Sequence, residues 1–458
     1  MKSQRIVIAV VAMALLAAGC GRSGTGEEEG AAPTAQATSS GNFGDLSGIC
    51  KGGSPSGTPA QGVTATEIKV GVFSDVGFTK QPEFVDAARA FTSWCNAAGG
   101  INGRKLVYEV RDTNLLEVRP RMLDACREDF ALVGGGAALD GLGVKDRLSC
   151  LLPEFPAQVS QSQNLQSDLQ VSALTSTYAH YEPYFGFRKW LLNEAYPESA
   201  GAVGIINGDS PVTKVLGDKA VEAIKAAGGS VTYSELYPAS GVSDWTPYAQ
   251  AIKNKNVKGL VFYGDFRQLG KLEDVLSGMN YKLDWIDPTN NAYNPQFLQA
   301  AAQSVGVQNN VVDLTGAVPI EASASSPAMA QLHDIFEKYA SGAELALGSV
   351  RALSSWLLFA KAASSCGDQL TRRCVLEAAT KQTAWTGAGL HTARDLSNKD
   401  AAPDCFNVMQ ATTAGWKQAD FKPDRGLFRC DVTPYRYTAE YGAATTLADV
   451  GKSLNDVK

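Results

Sequence analysis

Histidine is almost missing: His180, His333 and His391 are the only three, widely separated in a chain of 458 residues. That leaves little material for a histidine-rich metal site or a His-based triad. No C-x-x-C occurs, which removes zinc ribbons and thioredoxin-type redox motifs. There is no G-x-S-x-G elbow and no Walker-type G-x-x-x-x-G-K-[ST], and Gly134-Gly135-Gly136 lacks the third glycine of a dinucleotide fingerprint. Adjacent carboxylates such as Glu128 and Asp129 diverge at a predicted helix end and make a poor acid/base pair. These absences argue against an enzyme, a resident metal and a cofactor. Basic residues are also in deficit, 41 against 47 acidic, for a net charge of −6. Phosphate neutralisation on nucleic acid would need the opposite balance.

What is present is material for a core, with 45% hydrophobic and 19% charged residues. The length predicts two large units or about three smaller ones. Lys2 and Arg5 precede an apolar run from Ile6 to Ala18, shorter than the roughly 20 residues of a spanning helix, so residues 1–19 read as a signal peptide. Leu16-Ala17-Ala18-Gly19-Cys20 resembles the lipobox of bacterial lipoproteins, with its leucine four residues ahead of the cysteine rather than three. That resemblance implies a lipid on Cys20 and attachment to the outer face of the cell membrane. Residues 20–62, rich in Gly, Ser, Thr, Ala and Pro, are expected to be a flexible tether.

Eight further cysteines remain: Cys50, Cys95, Cys126, Cys150, Cys366, Cys374, Cys405 and Cys430. An even number in an exported chain argues for disulfides. Nearness in sequence suggests Cys366 with Cys374, Cys405 with Cys430, and Cys95 with Cys126, and elimination then joins Cys50 to Cys150. Buried free thiols are the alternative for each pair.

Short apolar runs alternate with amphipathic stretches. Strands are predicted at 67–73, 105–111 and 130–134, with helices at 83–96 and 116–128 between them. A second series runs through helix 183–194, strand 202–206, helix 212–227, strand 230–236, helix 245–253, strand 259–263 and helix 268–278. Such units make parallel sheets flanked by helices. The expected architecture is α/β and two-lobed, with 63–174 as the first part of lobe 1, 175–310 as the main part of lobe 2, and 311–458 completing both lobes and adding a C-terminal extension. Extended pieces at 169–173, 310–318 and 406–410 through Trp416 are candidates for three crossings. The cleft should lie at the carboxyl ends of the strands.

The opening strand, WCNAAGGINGRKLVYEVRD (residues 94–112), VKGLVFYGDF (257–266) and the order of elements resemble the leucine/isoleucine/valine-binding family of periplasmic-type solute receptors, over about residues 64–416. The resemblance implies a type I binding fold with three hinge crossings, a small-molecule ligand captured by closure, delivery to an ABC transporter permease, and action as a monomer. It also favours pairing Cys95 with Cys126. In that family the loop after the third strand receives the ligand carboxylate, which points here to Ala137 and Ala138, alanines where a serine is common. The next loop contributes Ala157 and Gln158. Phe266 matches an aromatic that packs on the ligand, and Phe78 or Thr79 a contact after the first strand. Thr289 falls where amino-acid-binding members carry the glutamate that pairs with the ammonium. Asp265, Asp287 or Asp75 could replace it, or could be helix caps and loop charges.

The aromatic stretch 178–190 offers Tyr181 as a cleft residue, whereas Tyr184, Phe187 and Trp190 have the spacing of a core stripe. The cleft therefore reads as less polar than an amino-acid site. The rival readings are a ligand-sensing lipoprotein that signals to a protein partner and a structural envelope lipoprotein.

Overall fold

The chain was analysed as a computed structural model, which describes residues 40–458. The stretch read as a signal peptide, Cys20 and the first part of the expected tether lie outside the described residues. Lobe 1 is built on β1 (Glu67–Ser74), whose pleat sends Ile68, Val70 and Val72 into one apolar cluster and Phe73 into another. Beside β1 lie β2 (Lys105–Asp112), β3 (Leu132–Val133) and β4 (Glu154–Phe155), all parallel, in the order β2-β1-β3-β4. Helix Glu83–Ala97 covers the first face with Phe84, Ala87, Phe91 and Trp94 buried, and helix Val118–Glu128 covers the other. The long helix Leu347–Cys366 packs on the first face beside Glu83–Ala97.

After β5 (Tyr181–Glu182), lobe 2 repeats the plan with β6 (Val203–Gly208), β7 (Val231–Tyr237), β8 (Gly259–Tyr263) and β9 (Trp285–Asp287), parallel in the order β7-β6-β8-β9. Three returning strands, β10 (Val311–Asp313), β11 (Val408–Thr412) and β12 (Gly415–Gln418), form an antiparallel sheet. The two-lobed α/β architecture thus matches the expectation. The predicted extended stretch 310–318 contains only the short β10, and helix 183–194 is regular only over Phe185–Trp190.

Two expectations fail. The stretch read as tether is packed from Phe43 onward: Phe43, Leu46, Ile49 and Cys50 are buried, and the Phe43 ring meets Trp94 edge-on at 6.4 Å. Its apolar residues are too sparse to give a period, so composition alone suggested a solvated chain. The disulfides join Cys50 to Cys95 and Cys126 to Cys150, alongside the expected Cys366–Cys374 and Cys405–Cys430. Cys95 and Cys126 cannot meet, because their helices lie on opposite faces of the lobe 1 sheet.

The C-terminal extension crosses from lobe 2 to lobe 1. Its strand β13 (Tyr435–Arg436) pairs antiparallel with β5. Tyr435 and Tyr441 donate to Glu222 of lobe 2 at 3.0 and 2.6 Å, and Tyr437 donates to Glu182 at 2.7 Å. Further on, the Thr445 and Leu447 amides bond Gln163 and Asp168, and Leu447 and Val457 are buried against Val144, Leu148 and Leu169 of lobe 1.

Candidate functional site

At the lobe 1 strand ends the backbone donors expected to face a ligand are already engaged. Asp75, just past β1, accepts from the Ala138 amide at 2.7 Å, from the Leu115 amide at 2.9 Å and from the Thr113 hydroxyl. One internal carboxylate thereby ties together the loops after β1, β2 and β3. The Ala157 and Gln158 amides bond the Gly135 carbonyl at 2.8 and 3.3 Å, the Gln158 side chain turns to Ser160, and Ala137 is buried. Glycine at 135 is required by close approach, since a side chain there would sit 2.4 Å from the Phe73 carbonyl. Phe78 is 59% exposed at the end of a short helix.

In lobe 2, Phe266 is 2% exposed and edge-on to Phe297 at 6.3 Å, so its ring is committed to the core. Asp265 caps helix Phe266–Gly278 by accepting from the Arg267 amide at 2.9 Å. Tyr181 lies in the β5–β13 ribbon beneath the Arg436 guanidinium. Thr289 bonds Asp287 through its amide at 2.9 Å and its hydroxyl donates to Asn291. Its φ of 61° and ψ of 163° are a conformation that β-branched residues avoid, held by the turn Asn290–Ala292. Of the proposed stripe, Phe187 and Trp190 are core residues, but Tyr184 is not, because it precedes the helix and its hydroxyl accepts from Asn290 at 2.9 Å.

The structure gathers a different set of groups where the lobes meet. Glu182 and Arg188 form an ion pair at 3.0 Å without hydrogen-bond alignment. Arg188 also donates to the Tyr263 hydroxyl at 2.7 Å. Asp287 is buried and its carboxyl is pushed up to about 6 by burial, against the pull of Arg188. Asp313, at the end of β10, accepts from the Thr315 and Asn407 amides at 2.8 and 3.3 Å, while its Oδ2 has no partner. Burial raises it to about 8. From lobe 1 the helix Leu347–Cys366 packs against the Asn290–Ala292 turn and brings Arg351.

Arg351 is 6% exposed and makes no hydrogen bond to any described residue, and its Nε and Nη2 are buried and unpartnered. Burial lowers its pKa, opposed by Tyr184, Asp313 and Glu83. Sequence reasoning missed Arg351 and Tyr184. The signal for Arg351 was there: it is the lone charge in SVRALSSWLLFA, an otherwise small or apolar helical run. Among the described residues no cluster offers three metal ligands, and no helix is long and apolar enough to cross a membrane. An open surface depression of about 560 Å³ lined by Tyr196, Lys282, Asn309 and Lys417 lies on lobe 2, away from these groups.

Two sheets with parallel strands, joined by returning segments and meeting at a floor of buried charge, define a two-lobed binding fold. The family model described as periplasmic binding protein matches residues 174–416, more than half of the chain, and the chain belongs to that family. No curated protein matches it. Among solved structures it is similar to a fatty acid ABC transporter substrate-binding protein from Thermomonospora curvata, at 17% identity and a TM-score of 0.66, covering 82% of this chain and 99% of that one. It is also similar to the leucine-binding protein LivK from Thermotoga maritima, at 13% identity and a TM-score of 0.63, covering 77% and 97%. A third is the branched-chain amino acid transporter substrate-binding protein LivJ from Streptococcus pneumoniae in complex with isoleucine, at 17% identity and a TM-score of 0.61, covering 77% and 98%.

Proposed function

We propose that the protein is an extracytoplasmic, lipid-anchored receptor that captures a small organic solute between its lobes and delivers it to an ABC transporter permease. The observation that carries the reading is the buried, incompletely paired charge where the lobes meet, in a chain of the periplasmic binding protein family. The solved relatives are named for fatty acid, leucine and isoleucine, so a solute with an apolar body is in keeping with them. Closure of the lobes hides such a solute and shapes the surface a permease reads.

A thermal-shift screen of the purified protein against amino acids, keto acids, amides and carboxylic acids tests the reading. A true ligand adds about 2.7 kcal/mol at a hundredfold excess over Kd, and a screen with no stabilising solute counts against a receptor. Cys20→Ala should release the protein from membranes, and continued membrane association would sink the lipid anchor.

A further inference from the structure

Arginine is costly to bury alone, and proteins that do so either supply carboxylates and carbonyls or leave the charge for something that arrives later. Arg351 has no protein partner among the described residues, and it sits where the lobes meet. The strand-end anion cradle of lobe 1, by contrast, is filled by Asp75. We propose that Arg351 is the anchor for the ligand's anionic head, and that the solute is a monoanionic organic acid with an apolar body and no ammonium group. This rests on the receptor reading above and names its ligand class.

Three further observations weigh against an ammonium. Thr289 supplies no charge, and four nearby carboxylates already have partners: Glu182 pairs with Arg188, Asp287 accepts from the Thr289 amide, Asp75 holds three loops and Asp265 caps its helix. Asp313 Oδ2 is buried and has no partner among the described residues. Burial favours the neutral form of that carboxyl, in which Oδ2 can donate to a carboxylate ligand. The apolar body is suggested by exposed Leu116, Phe78 and Leu142, which follow β2, β1 and β3, neighbours in the sheet.

The test is calorimetric titration of the ligand-free protein and of Arg351→Gln and Arg351→Lys with octanoate, 4-methylpentanoate and phenylacetate, each beside its primary amide, and with leucine. At least one acid should bind, its amide and the Arg351→Gln variant should each lose about 30-fold or more, and Arg351→Lys should recover part of that loss. Ligand-free Arg351→Gln should melt no lower than the parent, because an unpaired buried charge has been removed. Equal affinity for acid and amide, or leucine binding that is indifferent to Arg351→Gln, would overturn the anchor and leave the receptor standing. A lowered melting temperature with unchanged acid affinity would make Arg351 structural and also overturn it. Failure of every solute, neutral or charged, to bind the parent would overturn the receptor reading itself.

Discussion

Two of the buried arginines of lobe 1 have opposite surroundings. Arg147 is wholly buried and donates to the Leu152, Leu169 and Asp168 carbonyls, to Asn164 and to Ser167, with Glu154 at 3.4 Å. Arg351 is nearly as buried and donates to nothing described. The first guanidinium is surrounded by the segments it holds together, so its desolvation is offset within the fold. The second has no hydrogen bond to set against that cost, and on this difference the proposed ligand anchor rests.

The contrast is broken most severely at Arg147. Arg147→Ala strands Glu154 and Asp140 in the interior and should cost about 3–5 kcal/mol in urea unfolding. Arg351→Ala should cost less than about 1 kcal/mol in the same assay, and equal losses would erase the distinction. Phe266→Ala comes next, at about 3 kcal/mol of stability with solute affinity unchanged. A weakened Kd at constant stability would return that ring to the cleft. Removing Cys50 and Cys95 together should cost about 2–4 kcal/mol, and a variant as stable as the parent would mean that residues 43–62 are held without the staple.

A further difference concerns pH dependence. Asp140, raised to about 7 by burial, and Asp313, raised to about 8, hold protons in the folded state that the unfolded chain gives up near pH 4. Their contribution is therefore complete below about pH 4 and is lost as pH rises through 7 and 8. The urea midpoint should fall across that window, and Asp140→Asn should flatten the fall. A slope unmoved by Asp140→Asn would place the proton elsewhere.

The architecture was legible because strand and helix periods alternate so regularly between residues 67 and 278. The segment 43–62 was not, since a strap of scattered Phe, Leu and Ile has no period, and its role emerges only once Cys50 is seen against Cys95. The strand-end loops were located, but their donors could not be assigned: nothing in Gly135 to Ala138 tells that Asp75, far upstream in sequence, has claimed the Ala138 amide. Arg351 was hidden differently. It is distant in sequence from Tyr184 and Asp313, and only the packing of helix Leu347–Cys366 on the Asn290–Ala292 turn brings the lobes' charges to one place.

The C-terminal extension sets a mechanical limit. Tyr441 is held by Glu222 on lobe 2, and Thr445 by Gln163 on lobe 1. The chain between them can stretch to roughly 14 Å and no further. On that side the lobes can part only by this reach unless Tyr441 lets go, so the extension acts as a stop on the swing. In a receptor that opens between these lobes, the width of the opening would then be set by a hydrogen bond on the outside of the molecule, far from any residue that touches the ligand.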